Sequence, residues 1–369
     1  MKINRPTLII DEKKARRNIA FMADKAKKLN LSFRPHFKTH QSATIARWFR
    51  EIGVEQIAVS SLSMAHYFYK HDWDDIHITF PYNILEYQEL NELAKHIKIK
   101  VSIESQEALS HLKSYVKNPI QYMIIIDVGY GRTGIDASNW KSILSLANQG
   151  NSTCQFSGLM AHAGHTYDAR GINDIEKTHS SSLQKLETLV EKFVNPPFVS
   201  YGDTPSCSVS ENFNLISEFR CGNFVYYDVT QTLIGSCTVD QIAVAMACPI
   251  VAEHYDRNEV VIYGGAIHFS KDFVMTPYKH FGQIVSFTHN GWEILEDVYL
   301  KKISQEHGII HLPKNIDKNQ FSIGNIIGIL PVHSCLTADL MMGQKTLNGF
   351  PVEKTVSYTH LTLPTNREV

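Results

Sequence analysis

The first two thirds of the chain alternate between strand-like and helix-like segments at a regular pace. Such alternation is typical of repeated strand and helix units, which place their strands side by side in a parallel sheet. Eight segments have the apolar character of buried strands: 31–37, 56–60, 75–80, 97–103, 122–127, 156–162, 198–201 and 217–227. Segments with helical spacing of apolar residues precede the first strand or lie between most of the others: 12–29, 42–51, 63–70, 85–96, 106–116 and 174–193.

Eight strands with intervening helices over about 200 residues predict a closed (β/α)8 barrel. A doubly wound open sheet is the alternative, but it needs a glycine-rich phosphate turn after its first strand. Residues 34–40 contain no glycine. We therefore predict an α/β protein whose barrel spans residues 11–238.

The pattern changes at about residue 239, where helical periodicity gives way to short apolar or alternating runs separated by turn residues. These runs cover residues 242–251, 259–263, 281–287, 309–312 and 326–332. They predict a second, C-terminal β-rich domain over 239–355, which a strand within residues 5–10 is a candidate to join. The final segment, 356–369, differs in composition and has no periodicity. It resembles translated vector or adapter sequence, so we predict a non-native tail and a missing native C-terminus.

Composition excludes several classes of partner. Lys and Arg total 36 against 37 Asp and Glu, so the net charge of −1 gives no global field to attract nucleic acid or an anionic membrane. No segment approaches the roughly 18 apolar residues of a membrane span, and the N-terminus lacks the apolar stretch of a secretory signal. Six cysteines without paired spacing indicate free thiols or occasional metal ligands. We predict a cytoplasmic protein with a small-molecule partner.

The segment 34–40, RPHFKTH, ends the first predicted strand with a lysine among potential cations. Side chains at the C-terminal ends of barrel strands face the active site, so Lys38 is a candidate catalytic amine. Arg34, His36 and His40, together with partial burial, would lower the pKa of Lys38 and keep part of its amine neutral, as Schiff-base chemistry requires. On composition alone, a solvated lysine at a loop entrance is an equally good interpretation.

This heptapeptide resembles the cofactor-lysine motif of the D-threonine aldolase and D-serine dehydratase family, which are fold-type III pyridoxal-5′-phosphate (PLP) enzymes related to alanine racemase. Further motifs follow in the matching order from Pro6 to about Leu340. The resemblance implies that Lys38 holds PLP as a Schiff base, with His36 also at the cofactor. It also implies a homodimer with its sites near the interface.

Two glycine-containing segments continue the resemblance after the fifth and sixth predicted strands. The segment 127–134, DVGYGRTG, implies that Arg132 points at the cofactor ring near its phenolic oxygen, where a fixed cation tunes the electron sink. The segment 158–167, GLMAHAGHTY, implies that Tyr167 contacts cofactor or substrate, with His162 and His165 as supports. Without the resemblance, a surface arginine in a turn and satisfied core histidines would be preferred.

The segments 200–206, SYGDTPS, and 221–224, CGNF, supply hydroxyls and backbone N–H groups that a phosphate can approach closely. They resemble the phosphate site of the family, which implies Thr204, Gly222 and Asn223 as cofactor ligands. The family usually has Pro-Gly where this chain has Cys-Gly, a departure that loosens the match. Tyr226 and Asp228 continue the motif, and structural roles remain open for both.

The segment 331–339, PVHSCLTAD, contains a His-x-Cys pair, His333 and Cys335. If the segment is extended, residues two apart project to one face and can hold one ion, for which sulfur with nitrogen favours zinc. Two buried polar side chains on a strand are the alternative. The second domain of the family carries a metal-binding His-x-Cys or His-x-Asp pair beside PLP. The resemblance thus implies a divalent metal, zinc ahead of manganese or magnesium.

Together the motifs imply a metal-assisted, PLP-dependent lyase acting on a D-3-hydroxy amino acid. D-serine would give pyruvate and ammonia, and D-threonine would give glycine and acetaldehyde. The Cys form of the metal pair resembles the D-serine dehydratases, but it does not decide the reaction. One alternative is an amino-acid racemase, which shares the barrel and the lysine. The other is a PLP-binding protein without catalysis, which would resemble the barrel alone.

Overall fold

The computed structural model describes residues 3–355, so the predicted tail at 356–369 lies outside the described residues. The described strands are β1 (Thr7–Ile10), β2 (Ser32–Phe33), β3 (Ile57–Val59), β4 (Asp75–Pro81), β5 (Lys98–Ile103), β6 (Ile120–Asp127), β7 (Ile135–Asp136), β8 (Cys154–Ala161), β9 (Val199–Tyr201), β10 (Glu218–Phe219), β11 (Val244–His254), β12 (Glu259–Tyr263), β13 (Gly282–Thr288), β14 (Gly291–Ile303), β15 (His307–His311), β16 (Ile326–Pro331), β17 (Gln344–Thr346) and β18 (Pro351–Val352).

The described α-helices are α1 (Glu12–Lys28), α2 (Ala43–Arg50), α3 (Leu62–Tyr69), α4 (Tyr87–Leu93), α5 (Gln106–Tyr115), α6 (Trp140–Ala147), α7 (Ile172–Val190), α8 (Thr204–Val209), α9 (Val229–Ile234), α10 (Ala266–Phe269) and α11 (Ser334–Leu340). Many begin at a residue whose side chain accepts a backbone N–H of the first turn, as Asp11 does from Lys14 at the start of α1. Within the described part of the chain, none of these helices combines the length and apolarity that crossing a membrane requires.

The first sheet is parallel and has the strand order β2-β10-β9-β8-β6-β5-β4-β3. Its two ends are joined, because His36 pairs with Ala58 in a parallel bridge. Phe37 N donates to Ala58 O at 2.9 Å, and Ala58 N donates to Pro35 O at 3.0 Å. The eight strands therefore close on themselves, which confirms the predicted barrel and excludes the open doubly wound sheet.

The predicted eighth strand, 217–227, is wrong in length, since β10 ends at Phe219. The chain turns away because Gly222 packs against the strand-like segment after β2, where an added Cβ would lie 2.7 Å from His36 O. A 3-10 turn at Asn223–Val225 follows. Helix α6 and the short strand β7, which pairs with β6, also occur where the sequence pattern predicts no element.

The second sheet has the order β12-β15-β14-β13-β16-β11-β1-β17-β18. Strand β1 joins it by pairing antiparallel with β11 and parallel with β17. The longest strand, β14, escapes the sequence pattern because its apolar alternation is interrupted. Glu296 and Asp297 are exposed, and Asp297 has a φ of 58°, which breaks the regular pairing with β13.

Polar residues two apart along β2 and β10 point into the barrel and form layers. Arg34 and Glu218 form the layer nearest the N-terminal ends of the strands, where Arg34 Nε donates to Glu218 Oε2 at 2.9 Å. Arg34 Nη1 also donates to Asp75 Oδ1 at 2.7 Å. His36 and Arg220 come next, so the barrel interior is charged and hydrogen-bonded below the strand ends that hold Lys38.

Removing one partner of this buried pair should be costly. We expect Glu218→Ala to lower the free energy of unfolding by about 3–5 kcal/mol, because it leaves the guanidinium of Arg34 partly uncompensated in the barrel interior. Urea titration followed by circular dichroism measures the change. Glu12→Ala, which breaks an exposed ion pair with Arg16, is the matched control and should cost about 1 kcal/mol or less. Equal losses in the two variants would contradict a buried structural pair.

Candidate active site

A cavity of about 1060 Å³ opens at the C-terminal ends of the barrel strands and extends to the second domain. The residues predicted to contact cofactor, substrate or metal all line it: His36, Lys38, Arg132, Tyr167, Thr204, Gly222, Asn223, His333 and Cys335. Of the two histidines predicted as supports, His162 lines it and His165 does not. Residues separated by up to about three hundred positions in the chain thus share one space large enough for a cofactor and a small substrate.

Lys38 lies in the turn after β2, with its side chain exposed to the cavity. The surrounding protein lowers the pKa of the Lys38 amine by desolvation; the Cys335 thiolate opposes this effect, and Arg132 and Arg220 add to it. A lowered pKa favours the neutral amine that imine formation needs.

The cations that lower the pKa of Lys38 differ from the three predicted from the sequence, Arg34, His36 and His40. Arg34 is paired with Glu218 at the other end of the barrel, two layers away, because alternate residues of β2 continue along the interior. His40 is buried beside the Phe37 ring, and burial lowers its pKa to about 3, so it carries no charge at neutral pH. The lysine is instead influenced by Arg132 and Arg220.

His36 holds the backbone of the lysine in place. Lys38 N donates to His36 Nδ1 at 3.2 Å. A neutral imidazole has one donor nitrogen, so His36 Nε2 carries the proton and donates to Thr79 Oγ1 at 2.9 Å. Thr79 Oγ1 in turn donates to Val59 O at 3.2 Å. Burial, with the charges of Lys38 and Arg220, lowers the pKa of His36 well below its usual range, which keeps this tautomer neutral.

Arg220 is a functional candidate that the sequence reasoning missed. It lines the cavity and is buried, with Nε donating to Ser200 Oγ at 3.1 Å and Nη2 donating to Ala161 O at 2.9 Å. Burial lowers the pKa of Arg220 to about 10. The sequence signal for Arg220 is its spacing. It follows the inward-facing Glu218 by two residues, just as His36 follows Arg34.

The loop that carries Arg132 is organised by one carboxylate. Asp127 Oδ1 accepts hydrogen bonds from Gly129 N at 2.8 Å and Tyr130 N at 2.9 Å. Gly129 and Gly131 have φ values of 117° and 72°, a conformation that side chains disfavour and that the turn requires. The guanidinium of Arg132 lies over the Tyr130 ring at 5.1 Å and is accessible from the cavity. A cation is therefore presented to the cavity on a fixed turn.

Tyr167 and His162 lie on the loop after β8. Burial raises the pKa of the Tyr167 hydroxyl well above its usual value, and the Cys335 thiolate and Asp203 add to this. His162 Nδ1 bonds to Gly202 O, so Nε2 is the unprotonated nitrogen, and burial lowers the pKa of His162 to about 3. Its ring centroid lies 6.4 Å from that of Tyr167. This side of the cavity therefore offers a neutral phenol and a neutral imidazole.

Buried polar atoms that lack hydrogen-bond partners indicate whether the end of the cavity near Gly222 fits a phosphate. Among the described residues, Thr204 Oγ1 and Asn223 Oδ1 are buried without a hydrogen-bond partner; of these only the Thr204 hydroxyl can donate to a phosphate oxygen, because an amide oxygen accepts. Gly222 lines the same region, and its missing side chain allows the loop to pack against His36, whose backbone O would lie 2.7 Å from an added Cβ. Unsatisfied buried polar atoms are costly unless a ligand or water completes them. The residues therefore fit the phosphate of PLP.

The His-x-Cys pair is not in an extended segment, the arrangement considered from the sequence, because β16 ends at Pro331 and α11 begins at Ser334. His333 is the extended residue before the helix, and Cys335 is in its first turn. Burial lowers the pKa of His333, but hydrogen bonds with Asp272 and Cys335 offset this and raise it to about 11. Burial raises the pKa of the Cys335 thiol, but His333 and Lys38 outweigh it and lower the value. The two side chains are therefore neighbours despite the helix.

The donor chemistry of this pair fits a divalent ion. His333 Nδ1 bonds to Asp272 Oδ2 at 2.8 Å, which fixes the ring, as carboxylates do behind metal-bound histidines. Nε2 is the nitrogen on the Cys335 side, and it would bind an ion in exchange for its proton. Cys335 supplies a soft sulfur, which with nitrogen suits zinc. In residues 3–355, no group of three or more His, Cys, Asp or Glu side chains is placed to hold a metal. Water or substrate would have to complete the coordination of an ion here.

Comparisons with known proteins agree on the fold. Residues 10–229 match the family described as "Alanine racemase, N-terminal domain", and residues 243–343 match the "Putative serine dehydratase domain". The chain is 28% identical to D-serine dehydratase from Dictyostelium discoideum, over 94% of each chain. It is 24% identical to D-threonine aldolase from Arthrobacter sp, over 62% of each chain. The solved structure of D-threo-3-hydroxyaspartate dehydratase, as a cysteine-to-alanine variant in the metal-free form, has a TM-score of 0.89 and 21% identity, over 97% of this chain and 99% of that one.

Proposed function

Because this chain belongs to the family of the alanine racemase N-terminal domain, we propose that it is a PLP-dependent lyase that dehydrates a D-3-hydroxy amino acid, with D-serine as its substrate. One observation carries the proposal: Lys38 from the barrel shares a cavity with His333 and Cys335 from the second domain. Dehydration is preferred to aldol cleavage because the dehydratase match extends through the second domain, whereas the aldolase match covers 62% of the chain.

The chain's own residues divide the work of holding the cofactor. Lys38 would bind its aldehyde, and Thr204 with the backbone at Gly222 would bind its phosphate. The ring would lie among the cavity-lining groups Arg132, Tyr167, His36 and Arg220. PLP, when bound, supplies the electron sink that stabilises negative charge at the substrate Cα. The fixed cations and neutral imidazoles would set the electrostatic environment of that sink.

Lys38 is also the base in this proposal. Lowering the pKa of the Lys38 amine favours the neutral form, which is the form that accepts a proton, and the neutral His36 that holds its backbone fixes where it acts. Tyr167 faces the same space with a protonated hydroxyl, which makes it a donor to substrate or cofactor.

We further propose that His333 and Cys335 hold a divalent ion, zinc ahead of manganese or magnesium. An ion there would supply Lewis acidity to the β-hydroxyl of the substrate. Asp272 fixes the imidazole of His333 through Nδ1, so Nε2 is the nitrogen that would bind the ion. The similar dehydratase was solved as a cysteine-to-alanine variant in the metal-free form, a description that presupposes a metal in that relative.

We propose that the protein works in the cytoplasm as a homodimer. All six cysteines are free in the described residues, which suits a reducing compartment. Near the mouth of the cavity, Phe273 and Leu336 are large apolar side chains that are 47% and 42% exposed. A second copy covering this mouth would bury them.

A substrate panel tests the proposed reaction. Purified protein with PLP and zinc is incubated separately with D- and L-serine, D- and L-threonine, D- and L-alanine, and D-threo-3-hydroxyaspartate, and the products are identified. We expect pyruvate and ammonia from D-serine, together with a stoichiometric metal in elemental analysis. Glycine and acetaldehyde from D-threonine without pyruvate from D-serine would assign an aldolase. Interconversion of enantiomers without bound metal would assign a racemase, and a cofactor-loaded protein without turnover would contradict an enzyme.

A further inference from the structure

Asp228 is a buried carboxylate at the junction of the barrel and the second domain. It precedes α9 and is 1% exposed. Its Oδ1 accepts a hydrogen bond from Gln231 N at 2.9 Å, which is the ordinary role of an aspartate that caps a helix. Its Oδ2 is the unusual atom, because it accepts from Asn223 Nδ2 at 2.9 Å, Ser334 N at 2.9 Å and Ser334 Oγ at 3.2 Å.

The contacts of Oδ2 join the two ends of the cavity. Asn223 belongs to the barrel loop beside the phosphate region, next to Gly222. Ser334 stands between His333 and Cys335, the two candidate metal ligands. One carboxylate oxygen therefore restrains the cofactor loop and the backbone of the metal segment together. Helix capping alone needs none of these contacts.

The sulfur of Cys335 is held from the barrel as well. Asn223 Nδ2 lies 3.3 Å from Cys335 Sγ, and Thr39 Oγ1 lies 3.2 Å from it. Thr39 is the neighbour of Lys38 in sequence, and Asn223 is the residue that Asp228 anchors. The orientation of a ligand in the second domain thus depends on side chains that belong to the cofactor side of the barrel.

We propose that Asp228 is a positioning residue that couples occupancy of the cofactor phosphate region to metal binding at His333 and Cys335. The inference rests on the proposed function for the identity of the two ligands. Binding of phosphate near Gly222 orders the loop that contains Asn223. Asp228 transmits this order from Asn223 to Ser334, and the Asn223 amide holds the Cys335 sulfur in position for the ion. By thermodynamic reciprocity the ion then favours PLP by the same factor.

The substitution Asp228→Asn isolates this role from helix capping. Asparagine caps helices about as well as aspartate, so Gln231 N keeps its acceptor. The new amide NH2 replaces Oδ2 and faces the donors of Asn223 and Ser334, from which it cannot accept a hydrogen bond. Asp11→Asn is the matched control, because Asp11 is also a buried capping aspartate, 3% exposed, on a helix that has no contact with the metal segment in the interactions above.

Zinc affinity is measured by competition with a chromophoric chelator, in PLP-loaded and PLP-stripped protein. In the unmodified protein we expect PLP to tighten zinc binding by about 5-fold to 150-fold. In Asp228→Asn the zinc affinity of the PLP-loaded form should fall by about 10-fold to 100-fold, as for other residues that orient metal ligands. The ratio of the two affinities should approach one in that variant, while Asp11→Asn keeps both values.

Unchanged zinc affinity and an unchanged ratio in Asp228→Asn would overturn the coupling. Should that variant fail to fold, Asn223→Ala is measured instead, and we expect the same loss because it removes the amide between Asp228 and Cys335. The turnover assay is kept separate. If the unmodified protein binds zinc and releases pyruvate but Asp228→Asn has no effect, the coupling alone is contradicted. If zinc-loaded protein releases no pyruvate, the proposed function alone is contradicted. No zinc binding by the unmodified protein contradicts the coupling and the metal part of the function.

Discussion

Replacing Lys38 by alanine is expected to reduce pyruvate release from D-serine by about 10,000-fold, the upper range for loss of a positioned acid or base. The side chain is the only lysine at the strand ends among the described cavity-lining residues, and it is the proposed attachment point as well as the proposed base. The variant should also lose the visible absorbance that the protein acquires with PLP, because the other lysine among the described cavity-lining residues, Lys271, belongs to the second domain and does not lie at the strand ends.

Lys271→Ala is the matched control for Lys38. Lys271 also lines the cavity, but it belongs to the second domain next to Asp272. This variant should keep the visible absorbance and the covalent attachment of cofactor. If Lys38→Ala retained both absorbance and turnover, or if Lys271→Ala lost the absorbance instead, the assignment of the cofactor lysine would be wrong.

The second large effect concerns the metal. We expect Cys335→Ala, and separately His333→Ala, to lose bound metal and to slow dehydration by about 100-fold to 1000-fold, since Lewis acidity at a leaving hydroxyl is worth several kcal/mol. PLP should still bind to Lys38 in both variants, although more weakly if the two sites are coupled. Elemental analysis and pyruvate release measure the two properties independently.

Cys154→Ala controls for the removal of a thiol. Cys154 is a free, buried cysteine at the start of β8, outside the cavity lining, so its loss should leave metal content and turnover unchanged. Normal dehydration by a metal-free Cys335→Ala protein would show that the pair serves another purpose.

The barrel and its cavity were predictable because periodicity carries the information. The alternation of strands and helices predicts closure, and the position of Lys38 after an inward-facing strand predicts that its amine reaches the cavity. Gly222 could be predicted as a position of close approach, since a glycine at a strand end has no side chain to prevent it. In the structure the group that approaches it is the backbone of His36. The roles of Arg132 and Tyr167 came from resemblance, because a turn residue carries no periodic signal.

The buried polar network could not be predicted, because the role of each member depends on partners that are distant in the sequence. Arg220 looks like a surface cation until Ser200 and Ala161 are seen to enclose it. The His-x-Cys spacing suggested a strand, although the helix that starts at Ser334 brings the two side chains together just as well. Spacing of two residues does not distinguish an extended pair from a pair that spans a helix start.

Reduction of the PLP-loaded protein with borohydride, followed by peptide mass mapping, tests the central claim most directly. The reduced cofactor should be found on Lys38, within the peptide that contains the sequence RPHFKTH, at close to one equivalent per chain. Cofactor fixed to a different lysine, or no fixed cofactor at all, would contradict the account.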